Sequence, residues 1–146
     1  MRLILIIYIT MIGCGTEESL RDFHETNPVF DGYVQTFSEH YEREITDDDV
    51  VIDFGDTDGF AGQCDYDKRQ ITINEDYWNA ISDYKKEILI YHELGHCVLD
   101  LRGHDNEQIE VEGCTIPKSI MNESLLMNSY EENREYYLEE LFNREN

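Results

Sequence analysis

The residues whose types and spacing carry chemistry are His92, Glu93 and His96, in the run His-Glu-Leu-Gly-His at 92–96. Side chains four apart on a helix project from one face, so two imidazoles so placed can share one cation. Zinc, held by imidazole nitrogens at about 2.0–2.1 Å, suits such a pair. Glu93 is offset around the helix, positioned to reach a water beside the ion rather than the ion itself. That is the arrangement in which a glutamate serves as general base. A closed set needs a third ligand. His104, in Gly103-His104-Asp105, is the first choice, with Asp105, Glu107 and Glu110 as carboxylate rivals. An uninterrupted helix would carry residue 104 about 12 Å along the axis from residue 96, at 1.5 Å per residue. The helix must therefore break between Leu99 and Gly103, and Asp100 and Gly103 are the candidates for left-handed turn geometry.

The elements that must position these groups can be read along the chain. Phe30, Tyr33, Val34, Phe37 and Tyr41 follow Asn27-Pro28 at helical spacing, which predicts an amphipathic helix over about 28–43. Val50 to Phe54 reads as a strand, and Gly55 to Gly62 as a loop. Gln63 to Tyr66 and Gln70 to Asn74 bracket a turn at Asp67-Lys68-Arg69, and a short helical turn over 75–81 points Trp78 inward. Ser82 is placed to cap the helix that carries His92. A last helix over about 130–143 has Tyr130, Tyr137, Leu138, Leu141 and Phe142 on its apolar stripe, suited to docking against the His92 helix. Tyr130 reads as packing there. The acidic run Thr46-Asp47-Asp48-Asp49 lacks the spacing of a calcium loop and reads as a solvated turn.

Taken together, His92-Glu93-Leu94-Gly95-His96, Gly103-His104-Asp105 and Ser119-Ile120-Met121-Asn122 resemble the metzincin clan of zinc endopeptidases, near the matrixin and adamalysin types. The resemblance covers roughly residues 60–142. It implies a small α+β, zincin-like domain in which a short mixed sheet packs on the active-site helix, with N- and C-terminal helices. It also implies His92, His96 and His104 as zinc ligands, Glu93 as base, and Met121 as an apolar floor that does not bind the metal. The clan places its third His six residues after the second, whereas His104 follows His96 by eight. Some members also carry a Tyr two residues after the Met, where this chain has Glu123. Asp105 would either orient a ligand histidine or cap the turn. The substrate backbone is expected along the edge strand near Cys64, by strand addition.

The chain has 146 residues, 33 Asp+Glu against 11 Lys+Arg, and a formal charge of -22. That charge argues against nucleic acid as a partner, since no basic patch offsets the repulsion of phosphates. The 40% hydrophobic content, with ten tyrosines and six phenylalanines, is enough for one core and excludes a wholly disordered acidic chain. Leu3 to Ile12 is an apolar run too short to span a bilayer but right for a signal segment, and it ends Gly13-Cys14. This resembles a bacterial lipobox. It implies residues 1–13 as a lipoprotein-type signal, Cys14 as the lipidated residue, 14–26 as a tether and 27–146 as the folded domain. The protein would then be exported and held to the membrane of a cell envelope through its N-terminal lipid. In that oxidising setting one disulfide can form among Cys64, Cys97 and Cys114, and the sequence does not choose the pair.

The function expected from these residues is hydrolysis of peptide bonds in a peptide or protein substrate by metal-activated water. Two other classes stand beside it. One is a non-catalytic surface lipoprotein stabilised by zinc, against which the presence of Glu93 argues. The other is a metal-independent acidic interaction module, which metal analysis of the purified chain would distinguish.

Overall fold

A computed structural model describes residues 25–124 and 128–143. The expected signal segment, Cys14 and most of the tether lie outside the described residues. No helix among those described is long and apolar enough to cross a membrane.

Among the described residues the fold is α+β, with four helices and two small sheets. A 3-10 turn at Pro28–Phe30 leads into α1 (Asp31–Tyr41), so the helix expected over 28–43 begins tighter and ends two residues sooner. Asn27 starts it, its side chain accepting from the Val29 N–H, and Pro28 supplies a preset φ where no donor is needed. Strands β1 (Val51–Phe54), β2 (Gly62–Asp65) and β3 (Gln70–Ile73) form one mixed sheet in the order β1-β3-β2. β1 runs parallel to β3, and β2 runs antiparallel to it with Gly62 opposite Ile73 and Cys64 opposite Ile71. β2 is thus an edge. Helix α2 (Glu75–Ala80) turns Trp78 into the core beside Phe30, ring centroids 5.1 Å apart.

Helix α3 (Asp83–Cys97) lies at the centre. Every residue from Ile88 to His96 is buried, apolar and polar alike, because the sheet covers one side and other helices the rest. Ser82 occupies the N-cap position, but its carbonyl, not its hydroxyl, meets the first N–H groups, at Lys85 and Lys86 (both 3.0 Å). Phe37 of α1 bridges α3 and the last helix, 5.1 Å from Tyr91 and 4.8 Å from Phe142 between ring centroids.

One further element had no sequence expectation, and one differs from it. Residues 108–117 form a hairpin, β4 (Gln108–Val111) with β5 (Cys114–Pro117), turned by Glu112 and Gly113 at φ of 51° and 82°. Helix α4 spans Arg134–Phe142, starting four residues later than expected, because 128–133 form turns. Tyr130 is nevertheless fully buried and stacks on Tyr137 at 5.7 Å, packing as expected. Helix α4 docks on α3 through the Arg134–Glu87 ion pair (2.6 Å) and through Leu141. It also holds the chain after β5: the Tyr137 hydroxyl donates to Pro117 O (2.8 Å) and the Tyr136 hydroxyl to Lys118 O (2.7 Å).

Candidate metal centre

The site starts from where α3 stops. The last helical residue is Cys97, slightly before the break expected between Leu99 and Gly103. Leu94 O accepts from both Val98 N–H (2.8 Å) and Leu99 N–H (3.3 Å), and Gly95 O accepts from Leu101 N–H (3.0 Å). Asp100 at φ 53° and Gly103 at φ 88° adopt the left-handed geometry expected of them, and between them they reverse the chain. The reversal brings His104 back over the helix. Its ring centroid lies 5.2 Å from that of His92 and 5.3 Å from that of His96. One ring nitrogen from each of the three lies within 4.8 Å of the others. The eight-residue spacing from His96 to His104 is therefore long enough to include a reversal.

The hydrogen bonds of the two helical histidines fix their tautomers. His92 Nδ1 donates to Ile120 O (2.9 Å) and His96 Nδ1 donates to Leu101 O (2.6 Å). A carbonyl can only accept, so each Nδ1 carries the proton and each Nε2 keeps a lone pair. The two Nε2 atoms stand 3.1 Å apart. Two lone pairs facing at that distance repel unless something positive lies between them. Tetrahedral zinc with nitrogens at 2.0–2.1 Å would separate them by roughly 3.3 Å, so the donor set fits such an ion. Burial pushes the His92 pKa down to about 4 and lowers that of His96 as well. Both rings are thereby kept in the neutral form that ligates. Among the described residues this triad is the one His/Cys/Asp/Glu group found with donor atoms placed to share an ion.

Ser119-Ile120-Met121-Asn122 clasps the site from below. Ser119 Oγ accepts from the Met121 N–H (2.9 Å), Ile120 O accepts from His92 Nδ1–H, and Met121 O accepts from Asp105 N–H (2.8 Å). One short turn thus holds both His92 and the neighbour of His104. Met121 is fully buried against the helix at Gly95, where an added Cβ would come 2.6 Å from Met121 Sδ. The Asp105 carboxylate accepts from the Glu107 N–H (3.1 Å) and pairs with Lys118 (3.6 Å), a turn-capping arrangement. Glu107 and Glu110 lie outside the triad, and Glu107 pairs with Lys118 (2.6 Å). Glu123 exchanges hydrogen bonds with Asn106, donating its N–H to Asn106 Oδ1 (3.0 Å).

Glu93 is 4% exposed, and burial raises its carboxyl pKa to about 8. Its side chain lies against Gly62 of β2, where a Cβ would stand 2.9 Å from Oε1. The strand is held there covalently, since Cys64 of β2 is disulfide-bonded to Cys97, leaving Cys114 free and exposed. Residues 59–64, Tyr66, Tyr77, 103–104 and 123–124 line, with His92, Glu93 and His96, a cleft of about 690 Å³. The Tyr66 hydroxyl lies 3.3 Å from His96 Nδ1, and the Arg102 guanidinium sits 4.7 Å from the Tyr66 ring centroid.

Sequence reasoning missed Gly62, Gly95, Tyr66 and the two carbonyls that orient the histidines. The glycines had a signal. Gly inside a helix costs roughly 1 kcal/mol relative to Ala, so one between two histidines asks for a packing reason. Gly in a strand likewise marks a close approach. The backbone carbonyls leave no mark in residue types.

Residues 54–113, less than half of the chain, match the model of a family described as "Putative phage metallopeptidase". The matched stretch contains all three histidines, Glu93 and the disulfide. No curated protein and no solved structure matches the chain. The similarity supports metal-dependent peptidase activity, and the triad could hold the ion that activity requires.

Proposed function

We propose that this protein is a zinc-dependent endopeptidase of metzincin-like design, with His92, His96 and His104 as ligands and Glu93 as general base. The observation that carries the reading is the pair of deprotonated Nε2 atoms 3.1 Å apart, with His104 beside them and a buried carboxylate on the next residue of the same helix. When bound, zinc supplies a Lewis acid that acidifies water and polarises a carbonyl oxygen. The chain's own groups do the rest. Ile120 O and Leu101 O hold the two helical imidazoles in the ligating tautomer. Glu93 accepts a proton from the attacking water and returns it to the leaving amine. Burial raises its affinity for that proton in the interval between the two transfers. The free edge of β2 offers backbone donors and acceptors to an extended peptide, so the substrate adds as a further strand beside the cleft.

A structural zinc site needs no base and closes its fourth position with protein. The test follows from that contrast. Zinc content is measured on the wild-type chain and on Glu93→Gln, alongside hydrolysis of an unfolded protein substrate. Zinc near one per chain in both, with hydrolysis confined to the wild type, supports the peptidase. Zinc retained with no hydrolysis by either makes the site structural, and zinc near zero removes both readings.

The proposal extends to location: an exported chain anchored through a lipid on Cys14, as the N-terminal residues suggest. Cys14→Ala would then move the protein from the membrane fraction to the soluble one. Unchanged fractionation removes the anchor.

A further inference from the structure

Among the described residues two large hydrophobic side chains stand well out in solvent, Val29 and Phe60, and Phe60 is 66% exposed. An exposed ring buries little apolar area and contributes little to the folded state. The fold fixes that position firmly. Phe60 N–H donates to Thr57 O (3.0 Å), the Thr57 hydroxyl donates to Phe60 O, and Asp58 and Gly59 complete the turn at φ of 52° and 92°. Thr57 itself is buried. A buried hydroxyl thus anchors the backbone while the ring stays outside.

Phe60 lines the same cleft as His92, Glu93 and His96, and so does Tyr77; Val29 does not. Two residues beyond Phe60, Gly62 lies against the Glu93 carboxylate. With a bend at Ala61, two residues of chain span at most about 7 Å. The ring therefore sits one or two peptide residues from the point where Glu93 would act.

We propose that Phe60, together with Tyr77, forms a subsite that selects a bulky apolar side chain of a peptide substrate within two residues of the cleaved bond. The inference rests on the peptidase reading of this cleft and adds a substrate class to it. Burying the exposed ring against an aliphatic or aromatic side chain is worth about a factor of ten between a large residue and alanine.

The experiment uses the zinc-loaded chain and peptides that differ at one position, Leu or Phe against Ala, scanned over two residues on each side of the cleaved bond. Phe60→Ala should lower kcat/KM for the best bulky peptide about tenfold and leave its alanine counterpart within twofold. Phe60→Leu should restore most of the loss, and Val29→Ala should change nothing. A preference that survives in Phe60→Ala overturns the subsite. The same peptides are titrated calorimetrically into Glu93→Gln with and without Phe60→Ala. Phe60-dependent discrimination in binding without any cleavage by the wild type removes the peptidase and keeps the subsite. Cleavage with neither rate nor affinity responding to Phe60 removes the subsite and keeps the peptidase. No cleavage and no discrimination in binding remove both.

Discussion

The two halves of the histidine triad are built in opposite ways. His92 and His96 belong to a helix buried continuously from Ile88 onward, and each is locked by a hydrogen bond from Nδ1 to a backbone carbonyl. His104 is exposed and stands on an irregular segment, directed by Asp100, Gly103 and the bond between Asp105 N–H and Met121 O. The first half is positioned by the hydrophobic core, the second by local backbone conformation. In the proposed site, ligation and fold are therefore entangled at His92 and His96 and separable at His104.

Measurements can break or sharpen that contrast. Glu93→Gln should have the largest effect, lowering kcat by about 10²–10⁴ while zinc stays bound, because proton transfer is lost and no ligand is. Among the proposed ligands, His96→Ala, His92→Ala and His104→Ala should each weaken zinc by more than about 100-fold, beyond the usual effect of losing an outer partner. Their metal-free chains should differ. Removing His92 leaves Ile120 O without its donor and should cost about 1–3 kcal/mol, while His104→Ala should stay within about 0.5 kcal/mol of wild type. Urea unfolding in the presence of chelator checks this, and equal losses at both positions would erase the distinction. Gly95→Ala forces a Cβ against Met121 Sδ and should cost about 1–3 kcal/mol with or without zinc. Gly103→Ala meets no atom but sits at φ 88°, and should cost about 1 kcal/mol, with a larger effect on zinc affinity than on the melting of the metal-free chain.

How much could be read in advance follows the same division. The His92 helix was legible from the Ser82 cap position, the apolar run that follows and the four-residue spacing of His92 and His96, and the strands around Asp67-Lys68-Arg69 because turn residues punctuate them. The left-handed roles of Asp100 and Gly103 followed from the need to return to the metal. The β4–β5 hairpin escaped notice because its strands are four residues each, Gln-Ile-Glu-Val and Cys-Thr-Ile-Pro, too short for a period to stand out, with Glu112-Gly113 as a quiet turn signal. The Cys64–Cys97 pairing was not available from spacing, since it depends on β2 crossing the end of α3. The contacts of Asp105 with Lys118 and the Glu107 N–H were likewise out of reach, since only the folded chain brings Lys118 near.

That disulfide has one more consequence. It closes a ring from residue 64 to residue 97, and the exposed turn at Asp67 to Arg69 lies inside the ring. Should the chain cut peptides as proposed, its own copies are among its substrates, and such a turn is where nicking concentrates. A break there would leave the strand and the histidine helix joined by sulfur, so the nicked molecule would stay in one piece until a thiol reductant opened the bridge.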